Sequence, residues 1–155
     1  MSDTRWRPSS MLLGTSGILL VGVGIYFLFL RPPLLPEDVR YMSLTPAELV
    51  SIGPRLTAWL THVFRVMGGY IAATGVLALT LALTSLRDHR AVAAVGAGVA
   101  GGLSIGLMVA VNFMIDSDFK WGLLGMALVW ATSIAMFIQE SAARPNVAVA
   151  PGTVP

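Results

Sequence analysis

His62 and Arg65 lie one helical turn apart at the start of a long hydrophobic stretch, Arg55 to Leu86. At 100° per residue, Arg55, His62, Arg65, Gly69, Ala73, Val76, Thr80 and Thr84 share one broad face. An imidazole and a guanidinium above a ladder of hydroxyls could receive an anionic or polar ligand. Asn112, the one amide near a helix interior, would add a contact from a second helix. His62, Arg65, Thr80 and Asn112 are therefore the candidate ligand-binding residues, and their small, polar face is expected to point inward.

Length argues for a plainer role. A helix over 55–86 would be about 48 Å long, against a hydrocarbon core of roughly 30 Å. Val66 to Leu86 carries no charge and spans by itself, so the surplus belongs at the Arg55 end. That places His62 and Arg65 at the interface, where a charge costs little and an arginine can snorkel to water. In this structural reading Arg65 pairs with Asp116 at the end of helix three, or with one of the loop acids Glu37, Asp38, Glu48 and Asp118. Asn112, one turn deeper, is expected to hydrogen-bond across helices as packing glue.

The residue inventory removes several chemistries. The chain has no cysteine, so disulfides, thiol redox chemistry and thiolate metal sites are excluded. His62 and His89 lie at opposite ends of one helix, too far apart to share a metal, and no Ser/His/Asp set can form. No catalytic residue, metal ligand or cofactor is expected. The glycines of helix three lack the Lys-Ser/Thr ending and preceding strand of a phosphate loop. An acid inside helix one, which the proton-coupled small multidrug exporters rely on, is absent.

The elements that position these residues are membrane helices. Of 155 residues, 55% are hydrophobic and 12% charged, where an average soluble domain has about 25% charged. Four runs are long enough to cross a bilayer: Met11 to Leu30, Val66 to Leu86 within the helix from Arg55, Ala91 to Ile115 and Trp121 to Ile138. The net charge of +2, with no arginine cluster, excludes a nucleic-acid groove. The expected fold is an all-α, four-transmembrane-helix antiparallel bundle, residues 11–140, between a polar leader (1–10) with Trp6 at the interface and a loose tail (141–155).

One connection is long, and Thr45-Pro46-Ala47-Glu48 has the form of a capping box with proline at the first helical position. A short helix is expected over Pro46 to Ile52. Helix three carries Ala94, Gly98, Gly102 and Gly106 at even four-residue spacing, and helix four carries Ala127, Ala131 and Ala135. These small-residue stripes are expected to be helix-packing faces, which could pair with each other or with another chain. Cationic residues divide evenly between the two sides. Arg5, Arg7, Arg87 and Arg90 sit in the short flanks that weigh most in the positive-inside rule, so both termini are expected in the cytoplasm.

The helix order and the Arg65-Val66-Met67-Gly68-Gly69 start of helix two resemble small bacterial four-helix membrane proteins grouped near the DoxX-like families. Pro32-Pro33-Leu34-Leu35-Pro36-Glu37-Asp38 is similar to stretches in hypothetical proteins of high-GC bacteria. The resemblance implies a bacterial inner-membrane protein. That group includes oxidoreductase subunits, but no redox motif is present here. The leading expectation is a non-catalytic membrane protein that acts through helix packing, as an accessory or assembly subunit or a homo-oligomer in the bilayer. The alternative is a small-molecule binder or transporter whose site lies at the outer end of helix two.

Overall fold

The computed structural model describes residues 7–51 and 53–143. Four helices are long and apolar enough to cross a membrane: α1 (Pro8–Leu30), α4 (Pro54–Leu83), α5 (Ala91–Met114) and α6 (Lys120–Ala142). Two short helices, α2 (Pro36–Tyr41) and α3 (Pro46–Ser51), lie in the connection after α1. No strand occurs among the described residues, and the expected all-α four-helix membrane architecture is what the chain adopts.

Local chemistry sets the helix ends. Proline occupies the first turn of α1, α2 and α4, where its missing N–H would have had no intrahelical partner. The capping box of α3 forms as its sequence specifies: Glu48 N–H donates to Thr45 Oγ1 at 3.3 Å, and Thr45 N–H to Glu48 Oε2 at 2.8 Å. The hydroxyl bond from Thr45 holds the Glu48 carboxyl below its usual range. α2 was not foreseen, although Leu35-Pro36-Glu37-Asp38 carries its signals, with Pro36 at the first position and two acids in the first turn. Asp38 accepts the Leu35 N–H at 2.9 Å.

Three turns close on residues in the left-handed region: Ser43 (φ 54°), His89 (φ 56°) and Asp116 (φ 52°). At each, the next residue's N–H reaches the carbonyl five back, as Ser117 does to Asn112 at 2.9 Å. This Schellman closure satisfies carbonyls that the ending helix leaves free.

α1 is central, packing on α4 along most of its length and on α6. The α1–α4 seam sets backbone against backbone. A Cβ placed on Gly17 would lie 2.7 Å from Gly75 O, and one on Gly75 would lie 2.6 Å from Gly17 O. A Cβ on Gly24 would lie 2.6 Å from Ala72 N, and one on Gly68 would lie 2.9 Å from Gly24 O. Gly17/Gly24 and Gly68/Gly75 are each seven residues apart, two turns on a helix, so the backbones cross in direct contact. In lipid, where lipid tails are as apolar as leucine, such close packing is what drives helices together.

α5 joins α6 through a different device. Trp130, 4% exposed, lays its indole on Gly101, where a Cβ would come within 2.6 Å of Cδ1, and donates from Nε1 to Ala97 O at 3.0 Å. The buried row on α5 is Ala93, Ala97, Gly101 and Ile105. This corrects the expected stripe by one residue, about 100° around the helix. Ala94 is buried in the core, but Gly98 and Gly102 have nothing within 4 Å of an added Cβ, and Gly106 meets only the carbonyl of Gly101 in its own helix, at 3.3 Å. On α6, Trp130, Ser133 and Phe137 take the buried face, while Ala127 packs partly and Ala131 and Ala135 are exposed.

Boundaries differ modestly from expectation. α1 begins at Pro8 inside the supposed leader, α4 ends at Leu83, and α6 runs on to Ala142. α1 ends in a π-turn over Tyr26–Leu30, and α5 contains another over Gly102–Gly106. Trp6, Ile52 and the tail from residue 144 lie outside the described residues.

Candidate functional site

α4 and α5 touch only sparsely. Between them, walled at the back by α1 and α6, is a cavity of about 1090 Å³, at the upper end of the range for small-molecule sites. From Leu19 on α1 to Arg31 just after its end it extends over thirteen residues, about 18 Å along the helix. That is more than half the thickness of a hydrocarbon core of roughly 30 Å.

The wall is mostly apolar: Leu20, Val23, Ile71, Leu107, Met108 and Met126 are representative. Tyr70 and Leu103 line it and are each 73% exposed, so the cavity is a crevice that opens sideways between α4 and α5 toward lipid. A few polar groups are set into it. Thr74 donates its hydroxyl to Tyr70 O at 2.9 Å, Ser104 to Ala100 O at 2.6 Å, and Asn112 Nδ2 to Met108 O at 2.8 Å. These bonds use the two hydroxyl hydrogens and one of the two Asn112 amide hydrogens, and the oxygens retain lone pairs.

At the membrane-face end the crevice meets charge. Arg31 follows the π-turn of α1, its N–H bonded to Tyr26 O at 2.8 Å. Its side chain is 7% exposed and its Nη2 lies 3.0 Å from Asp38 Oδ2. Nη1 donates to Pro32 O at 2.9 Å, and the guanidinium carbon sits 3.4 Å from the ring centre of Phe64. Buried charges need this kind of pairing, and a cation over an aromatic face gains further attraction. The Nε is buried without a partner. Glu37, also on α2, is 3% exposed, and its Oε1 receives the Ser117 hydroxyl at 3.3 Å. α2 is therefore the element that brings two carboxyl groups to the crevice mouth.

The expected binding set is largely elsewhere. His62, Arg65 and Thr80 are exposed, and the buried face of α4 is Gly68, Ile71, Gly75, Ala78 and Ala82. The polar face points outward because the glycine seam, not the hydroxyl row, fixes the rotation of α4. Thr80 donates to Val76 O in its own helix. Asn112 does line the crevice, but its amide bonds within α5 and not across helices. The expected Arg65–Asp116 pair does not form: Asp116 pairs with Lys120, four residues on, and its carbonyl accepts from Arg40 at 2.7 Å. The Lys120 hydrogen bond, reinforced by its charge, holds the Asp116 carboxyl below the usual range.

Sequence reasoning gave neither Arg31 nor Glu37 a place in the binding set, Glu37 standing only among the loop acids offered to Arg65. Arg31 read as a helix stop, yet the aromatic run Tyr26, Phe27, Phe29 before it and the two acids after Pro36 were a usable signal. A second polar cluster, at the end of the bundle holding Arg7, was also missed. There Glu140 accepts from Ser9 N at 3.0 Å and Ser9 Oγ at 2.7 Å, capping α1 from α6. His89 lies 3.6 Å from Glu140, contacts Arg7 and stacks on Phe137. Ser133 donates to Ser9 O at 2.8 Å. These contacts tie the start of α1 and the α4–α5 turn to α6, a structural role. Among the described residues no group of three or more metal-ligating side chains occurs.

No family model, curated protein or solved structure matches the chain. The DoxX-like resemblance rests on helix order and residues 65–69 alone.

Proposed function

We propose that the protein is a non-catalytic membrane binder that receives a single-chain amphiphile in the crevice between α4 and α5. The supporting observation is the crevice itself: apolar over about 18 Å, open sideways to lipid, and polar at one end. Its depth matches one leaflet of a bilayer, with the chain end of a ligand beside Thr74 and Ser104 and the headgroup beside α2. The site lies at the outer end of the second spanning helix, with Phe64 and Met67 in place of His62 and Arg65. We place the protein in a bacterial inner membrane on the strength of the DoxX-like resemblance, with its termini in the cytoplasm on the strength of Arg7, Arg87 and Arg90 in the short flanks.

Photoactivatable dodecanol in lipid nanodiscs provides the test. Crosslinks should concentrate on crevice residues such as Leu103, Ser104 and Met108, and Ser104→Phe should reduce them by about tenfold by filling the cavity. Labelling spread evenly over the lipid-facing surface, unchanged by Ser104→Phe, would overturn the reading.

A second reading, an accessory subunit or homo-oligomer, has one observation in its favour: among the described residues nothing lies within 4 Å of a Cβ added at Gly98 or Gly102. Gentle solubilisation and particle sizing test it, and a monodisperse monomer with no co-purifying subunit removes it.

A further inference from the structure

We infer that the crevice selects a cationic, donor-bearing headgroup, an alkylammonium amphiphile, with the Glu37 carboxylate as its counter-charge. This rests on the amphiphile reading above and adds the chemistry of the head.

Arg31 would at first suggest an anionic ligand. Its charge is already matched: Nη2 is on Asp38, Nη1 on the Pro32 carbonyl, and one face lies against Phe64. Nearby, Arg40 pairs with Asp118 at 3.2 Å and Lys120 with Asp116. Glu37 is the acid left over. It is 3% exposed, has one hydroxyl donor at 3.3 Å, and among the described residues has no cation within ion-pair distance. Arg31 and Asp38 offset each other, which leaves Glu37 as the buried carboxyl that a cationic head would pair with, where such a pair gains most.

The neutral polar groups point the same way. At the head end Asn112 gives one amide hydrogen to Met108 O and keeps its side-chain oxygen as an acceptor beside its second N–H, whereas Thr74 and Ser104 lie at the chain end. Asn112 and Glu37 are joined through Ser117, whose N–H donates to Asn112 O and whose hydroxyl donates to Glu37. An ammonium supplies three N–H donors and no acceptor, the complement of the Glu37 carboxyl and the Asn112 oxygen. Donors also remain in the lining, among them Arg31 Nε, buried without a hydrogen-bond partner among the described residues, the second Asn112 N–H and the Tyr26 and Tyr70 hydroxyls, enough for ligand or water oxygens beside the ammonium.

Competition against photoactivatable dodecanol, in nanodiscs, decides the point. Dodecylamine should displace the probe about tenfold more effectively than dodecanol, and dodecyl sulfate less effectively than either. Glu37→Gln keeps the shape and removes the charge; it should abolish the amine advantage while dodecanol labelling persists. Ser117→Ala keeps the carboxylate and removes its donor, and should keep the advantage. Equal competition by all three heads, or preference for sulfate, overturns the headgroup inference and leaves the crevice reading standing. Absence of crevice labelling by any probe overturns both. The wild-type order alone is decisive should Glu37→Gln fail to fold.

Discussion

Two glycine rows in this molecule look equivalent and do opposite things. Gly17 and Gly24 on α1 meet Gly68 and Gly75 on α4 so closely that an added Cβ would strike backbone. Gly98 and Gly102 on α5, in the most regular small-residue pattern of the chain, face open space. A stripe of small residues permits close approach without requiring it. What decides is the partner surface: α4 offers glycines at the matching two-turn interval, whereas α6 offers Trp130, which needs the neighbouring row of α5. One consequence is architectural, since a closed α1–α4 seam beside a sparse α4–α5 contact leaves the lateral crevice.

Gly75→Val breaks the comparison hardest. The new side chain would meet Gly17 O and Val21 N, backbone atoms that cannot yield without separating the helices. Overpacking a tight core typically costs about 1–3 kcal/mol and sometimes more, and this site belongs at the top of that range because no rotamer avoids the clash. Thermal or steric-trap unfolding in bicelles should register the loss. A variant as stable as wild type would mean that the seam is looser than its geometry.

Trp130→Phe tests the other device. It keeps an aromatic ring over Gly101 and removes the Nε1–Ala97 bond, so the expected loss is about 1 kcal/mol, in line with interhelical hydrogen bonds in membranes. The loss should disappear if the indole N–H merely satisfied a carbonyl that the bilayer interface could reach.

Much of this architecture was legible in the sequence. Four apolar runs bounded by Arg31-Pro32-Pro33, Arg87–Arg90 and Asp116–Lys120 fix the bundle, because a bilayer imposes both helix length and backbone satisfaction. The α3 capping box follows from four residues. Rotation was not legible. Which face of α4 turns inward depends on a glycine match between α1 and α4 that neither helix displays alone, and the hydroxyl row was the more visible periodicity. Placing His62 and Arg65 by length was sound as far as exposure goes, but their expected partners were captured by nearer cations, Lys120 for Asp116 and Arg31 for Asp38. The crevice arises from the absence of a contact, and it depends on α2, whose signals were read only as part of a connection.

The smallest effect is the most discriminating. Gly98→Ala adds a methyl where nothing lies within 4 Å, and exchanging glycine for alanine in a helix interior is favourable by up to about 1 kcal/mol. Stability should therefore hold or rise slightly, the reverse of Gly75→Val, although the sequence pattern ranks Gly98 as the stronger packing position. The same variant separates folding from association. If a second chain docks on this face, the added methyl disturbs that contact and the solubilised particle shrinks while the unfolding midpoint is maintained. A fall in monomer stability would instead place Gly98 inside a seam, and the contrast between the two glycine rows would collapse.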